Sequence, residues 1–139
     1  MPADFDLGVL LGLFIAQGHY GGDRRQPQIT LKLHVRHLPL LEWALERLPG
    51  ARLYGPYEYG PRRFYQLMVR GDALRNRLVP LLDTTDWHRI DPPSFARYEA
   101  MKDRYGLPRD RHAEAWNSIG ETADTEARAT VGITRNAGP

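Results

Sequence analysis

Between Asp4 and Gln17 the chain reads DFDLGVLLGLFIAQ, a helix-length run that is apolar nearly all round. A helix on a protein surface shows one apolar stripe and one polar face, so this one demands cover on most of its sides. Asp4 or Asp6 can cap its first turn. Gly8, Gly12 and Ala16 stand four residues apart along one ridge. A mid-helix glycine costs about 1 kcal/mol against alanine, so two of them call for a compensating gain. Close approach supplies one, either to a second helix backbone against backbone or to a sheet beneath. Gly18 then reads as a left-handed C-cap.

Beyond the helix, His19 to Asp23 leaves room for a short strand that turns through Gly21-Gly22-Asp23. From Gln28 to Arg36 nine residues alternate without an error. Ile29, Leu31, Leu33 and Val35 point one way; Gln28, Thr30, Lys32, His34 and Arg36 point the other. That is the pattern of a half-buried antiparallel strand. Its outer face is hydrogen-bonding and partly cationic, as a merely solvated face would also be. Leu38, Leu41, Leu45 and Leu48 then repeat at helical spacing until Pro49-Gly50. Arg52 to Tyr59 and Arg63 to Arg70 form a hairpin joined at Gly60-Pro61, rich in aromatic residues of which about half should be core. Asp72 is placed to cap a helix with Leu74, Leu78 and Leu82 inward. Pro92-Pro93-Ser94 opens a last helix, with Phe95, Tyr98, Met101 or Lys102, and Tyr105 on its inner face and Gly106-Leu107-Pro108 at its end.

The order helix, strand, strand, helix, strand, strand, helix predicts an α+β fold, a two-layer αββαββα sandwich with a further C-terminal helix. Residues 1–108 form the domain and 109–139 a helical or flexible tail, since from about Asn117 no periodic apolar face remains. One sheet face packs on the helices and the other stays open. The chain contains no cysteine, which excludes disulfides, thiolate metal sites and cysteine nucleophiles. No apolar run approaches the ~20 residues that span a bilayer, so a cytoplasmic protein is expected. No spacing among its five histidines suits zinc, and no glycine-rich segment has the lysine of a phosphate cradle.

The net charge of +2 hides an uneven distribution. Residues 1–22 sum to −2, residues 23–70 carry nine basic against four acidic side chains, and residues 71–139 sum to −1. Of the 19 basic residues 17 are arginine, whose planar fork suits phosphate and guanine. Part of that bias is what GC-rich coding produces; the clustering is not.

Leu10-Leu11-Gly12-Leu13-Phe14-Ile15-Ala16-Gln17-Gly18, read within this element order, resembles the LAGLIDADG homing-endonuclease family. The motif agrees at Leu10, Gly12, Leu13, Ala16 and Gly18, and the likeness extends over residues 7–82. The resemblance implies that Gly8, Gly12 and Ala16 form the dimer interface of a homodimer, since a single motif and no internal repeat are present. It implies that double-stranded DNA is the partner, with no membrane and no small-molecule substrate. The contact surface would be Arg24, Arg25, Gln28, Thr30, Lys32, His34 and Arg36, then Arg52, Tyr54, Arg62, Arg63, Gln66 and Arg70 of the second hairpin.

The family's metal-binding, catalytic carboxylate is the last acid of the motif, and here that position is Gln17. A neutral amide is a poor ligand for Mg²⁺, which wants anionic oxygen. The expectation is a sequence-specific DNA-binding homodimer without cleavage and without a cofactor. The alternatives are a Mg²⁺-dependent site-specific endonuclease seen as an engineered Gln variant, cleavage through other ligands such as His19 with Asp23, an RNA-binding or maturase-like role, and a small dimeric interaction module. The metal site itself stays unassigned.

Overall fold

The computed structural model describes residues 4–108; the segment 109–139 lies outside them. The elements run α1 (Asp4–Gln17), β1 (Gly18–Gly22), β2 (Pro27–His34), α2 (Leu38–Arg47), β3 (Arg52–Tyr59), β4 (Arg62–Arg70), α3 (Val79–Asp83) and α4 (Pro92–Tyr105). Short 3₁₀ turns at Val35–His37 and Trp87–Arg89 link β2 to α2 and α3 to α4. The four strands form one antiparallel sheet in the order β1-β2-β4-β3. This is the α+β, two-layer arrangement expected.

One sheet face makes the core. Tyr20, Ile29, Leu31, Leu67 and Val69 are buried on it beneath Leu10 and Phe14 of α1, Leu41 and Ala44 of α2, and Phe95, Tyr98 and Met101 of α4. Side chains alternate across a strand, so the remaining strand positions lie on the far face. Trp87, unplaced by periodicity, stacks at 6.2 Å on Tyr20 and meets Phe95 edge-on at 4.9 Å. Its indole N–H donates to the Leu82 carbonyl at 3.1 Å, satisfying its one polar atom.

Several local expectations are corrected. Asp6 does not cap α1; its carboxylate accepts from Arg47 Nε at 2.9 Å, and the Arg47 guanidinium lies 3.9 Å over the Trp43 ring, tying α2 to the first turn of α1. Gly18 is not left-handed but the first residue of β1. Its missing side chain is needed for another reason: a Cβ there would collide with the Phe14 carbonyl, which accepts from the Tyr20 hydroxyl at 2.7 Å. Asp72 is already helical and makes no cap; instead it accepts from the Asn76 amide one turn on. From Ala73 to Leu78 the helix widens to π form, Val79 donating to Leu74. Pro80 has no N–H and crowds the carbonyl four residues back, which a wider turn accommodates. Leu74, Leu78 and Leu82 all face inward as expected. The end of α4 also follows the sequence, with Gly106 left-handed at φ +66° and Leu107 donating to Lys102 at 2.9 Å.

Candidate nucleic-acid interface

The open sheet face is assembled by register. Gln28 lies opposite Arg70, Thr30 between His19 and Met68, and Lys32 opposite Gln66. Met68 is followed across the sheet by Arg52 and Gln66 by Tyr54. The register then slips between Tyr54 and Tyr57, so that Tyr57 opposes Phe64 and Tyr59 opposes Arg62. A bulge of this kind lets residues three apart share one face. His34 pairs with Phe64 from the other side. Hence Gln28, Thr30, Lys32, His34, Arg52, Tyr54, Arg62, Gln66 and Arg70 share the open face.

Two of the expected residues do not. Arg36 belongs to the 3₁₀ turn, because His34 Nδ1 accepts from the Arg36 backbone N–H at 3.1 Å and ends the strand; its guanidinium donates to His37 at 3.3 Å. Arg63 alternates to the opposite face, beyond the rim of the core, and pairs with Glu58 at 3.3 Å. Thr30 has the right face but is only 4% exposed, shielded by its neighbours in the sheet. Conversely, His19, Tyr57, Tyr59, Phe64 and Met68 join the open face, and of the hairpin's aromatic residues only Tyr65 is turned to the core, not half. Phe64 holds a cationic cluster, with Lys32 Nζ 5.8 Å and Arg62 6.0 Å from its centroid and Tyr57 at 5.6 Å. None of the open-face positions is an Asp or Glu.

Arg24 and Arg25 sit in the turn at the sheet's end. Asp23 Oδ1 accepts from the N–H groups of Gln26 at 2.8 Å and Arg25 at 2.9 Å, and these bonds hold its carboxyl below the usual carboxylate range. The turn is therefore held at neutral pH and loosens only as acid protonates that carboxylate at its depressed value. Arg24 is left-handed at φ +78°, a strained conformation for an arginine. Its N–H donates to the Tyr105 hydroxyl at 3.2 Å, so α4 fixes the direction in which the arginine pair leaves the sheet.

A second exposed surface runs along α1. Gly8, Gly12 and Ala16 are exposed, a Cβ on either glycine would meet nothing within 4 Å, and Phe5 beside them is 76% exposed. Among the described residues the helix is covered on the side of Leu10, Phe14 and Ile15, with Leu7, Leu11 and Leu13 partly buried against the core.

Gln17 ends α1 on the exposed side. Residues 7–22 contain no carboxylate. Asp23 is already engaged with its own turn, and among the described residues no three His, Cys, Asp or Glu side chains converge. A neutral amide and an imidazole are donors of the wrong hardness and charge for Mg²⁺, so the residues present do not fit the metal that the resemblance implies.

No protein-family model and no curated protein sequence matches the chain. Among solved structures it is similar to one described as "Group I Intron-encoded Homing Endonuclease I-CeuI Complexed With DNA", with a TM-score of 0.53 at 14% identity, over 74% of this chain and 55% of that one. The chain thus spans about half the length of that protein. Another similar structure is described as "Archaeal Intron-encoded Homing Endonuclease I-Vdi141I Complexed With DNA", with a TM-score of 0.43 at 16% identity, over 88% and 98% of the two chains. At these identities the likeness is one of fold, and it rests on the first.

Proposed function

We propose that this chain binds double-stranded DNA sequence-specifically through its open sheet face, as a homodimer joined along α1, and does not cut it. The observation that carries the reading is the composition of that face. Lys32, Arg52, Arg62 and Arg70 stand on one surface with Gln28 and Gln66, Arg24 and Arg25 extend its edge, and no acid interrupts it. A merely solvated face has no reason to exclude acids, whereas one laid on phosphates does. The sheet is of the kind that enters the major groove, where arginine and glutamine can read base edges. The solved structure of similar fold is a DNA complex, which supports the same reading. For the dimer, the support is the bare ridge of α1.

Selection of bound duplexes from a random library tests the partner. A defined site should emerge, and the logarithm of its affinity should fall against log salt with a slope of about −5 or steeper, as for six or more phosphate contacts. A flat slope with no enriched sequence refutes DNA binding.

Metal-dependent cleavage is the second reading, favoured by the description of that similar structure as an endonuclease. On the selected site with Mg²⁺ or Mn²⁺, the chain with Gln17 is expected to leave both strands intact. Gln17→Glu would return two anionic ligands to a dimer, and strand scission by that variant alone would show that the scissile phosphates are already in place. Robust metal-dependent nicking by the unaltered chain overturns the non-cleaving reading.

A further inference from the structure

Across the middle of the open face runs the row His19, Thr30, Met68, Arg52. Thr30 is sunk among its neighbours, while Met68 beside it is half-buried and has no covering element among the described residues. Met68 is the one aliphatic side chain among the open-face register positions. On one side of this row stand Gln28 and Arg70, on the other Lys32 and Gln66. An unbranched thioether at the centre of a cationic face contributes little to solubility, and the core on the opposite side of the sheet gains nothing from it.

The chemistry of the major groove says what such a side chain can do. Guanine offers two acceptors, suited to arginine and lysine; adenine offers a donor and an acceptor, suited to glutamine; cytosine offers an amino donor. With no carboxylate on the face, direct recognition of the cytosine amino group lacks its best partner. The groove's one apolar group is the 5-methyl of thymine. The flexible, polarizable thioether adapts to a small apolar contact.

We propose that Met68 reads a thymine methyl in the target duplex, with Lys32, Gln66, Gln28 and Arg70 bracketing it with polar base contacts. This assignment rests on the DNA-binding reading above and adds to it a specificity-determining residue and the base it selects.

The test starts from a duplex enriched by the full chain. Each thymine is replaced in turn by deoxyuridine, which deletes one methyl and preserves pairing, and affinity is read by fluorescence anisotropy at fixed salt. One thymine per half-site is expected to lose about fourfold, the value of one buried methylene-sized group. Met68→Gln should abolish that sensitivity and Met68→Leu should keep it, each variant being checked by thermal melting. Photocrosslinking of the unaltered chain to 5-iododeoxyuridine at the sensitive position, where iodine replaces the methyl, needs no variant and should map to Met68. A duplex bound specifically yet indifferent to every methyl, a sensitivity that survives Met68→Gln, or a crosslink to another strand overturns the assignment while DNA binding stands. Failure to enrich any duplex, or equal binding of RNA of the same sequence, overturns the DNA reading and this assignment with it.

Discussion

Gly12→Leu should leave the protomer folded and take the proposed dimer apart. Among the described residues a Cβ at Gly12 meets nothing within 4 Å, so the new side chain enters open space. Leucine is also the better helix former, and the isolated protomer should gain about 0.5–1 kcal/mol. In a two-fold interface the same residue meets its own copy, and each insertion is felt twice. Overpacking a closely packed site costs about 1–3 kcal/mol, so two insertions weaken association by about 2–6 kcal/mol, roughly 30-fold to 10⁴-fold or more in Kd. Sedimentation equilibrium over a concentration series measures this, and urea unfolding at low concentration measures the protomer. An unchanged dimer would place the joint elsewhere than on α1. Opposite signs from one substitution separate an interface residue from a core residue.

The second large effect lies away from the open face, where Asp83 is expected to be the most costly charge to remove. Lys102 is 0% exposed, and both its carboxylate contacts are to Asp83, at 2.9 and 3.1 Å. The same carboxylate accepts from the Tyr98 hydroxyl at 2.8 Å. Burial, with the Asp83 charge beside it, raises the Tyr98 pKa well above that of an ordinary phenol, so this hydroxyl stays a donor throughout the working pH range. Asp83→Ala strands a buried ammonium and leaves the Tyr98 hydroxyl only the long 3.4 Å bond to the Val79 carbonyl. The expected loss is about 3–5 kcal/mol, with a melting temperature at least ~12 °C lower. Adding Lys102→Met removes the stranded charge and should recover most of the loss, since apolar replacement of a buried pair is often neutral. A single-variant loss below about 1 kcal/mol, or a double variant no better than the single, refutes this account. The variant's DNA affinity, measured below its melting range, should be unchanged.

The parts of this structure legible in the sequence are those decided by nearest neighbours. The bounds of α1 were readable because apolar residues fill it to Gln17 and a glycine follows, although that glycine opens β1 rather than capping the helix. The inner faces of β2 and α4 were readable because their periods are clean and uninterrupted. Arg36 escaped because alternation continues on paper through Val35 and Arg36, while the chain has already turned at the His34 imidazole. Arg62 and Arg63 could not both face the same way, and only the register decides between them. The bulge after Tyr54 reverses the parity of the rest of β3, and no local pattern announces where a bulge falls. Thr30 shows a further limit: period 2 gives its face but not its depth, which is set by His19 and Met68 on strands distant in sequence. The tie between Lys102 and Asp83 spans 19 residues with no fixed spacing, so a buried lysine appeared only as the rival of Met101 for an inner position.

The hairpin tip from Tyr57 to Arg63 is exposed throughout, with Glu58 and Arg63 paired to each other. Folding therefore exerts little veto over what occupies it. Met68 and Thr30, by contrast, share a strand with Leu67, Val69 or Ile29 and Leu31, and drift there is policed by the core one residue away. The two regions are under different structural constraints. Substitutions at the tip carry almost no risk to the fold, and on the proposed DNA-binding reading they can exchange one recognition preference for another there while the centre of the sheet holds its vocabulary fixed.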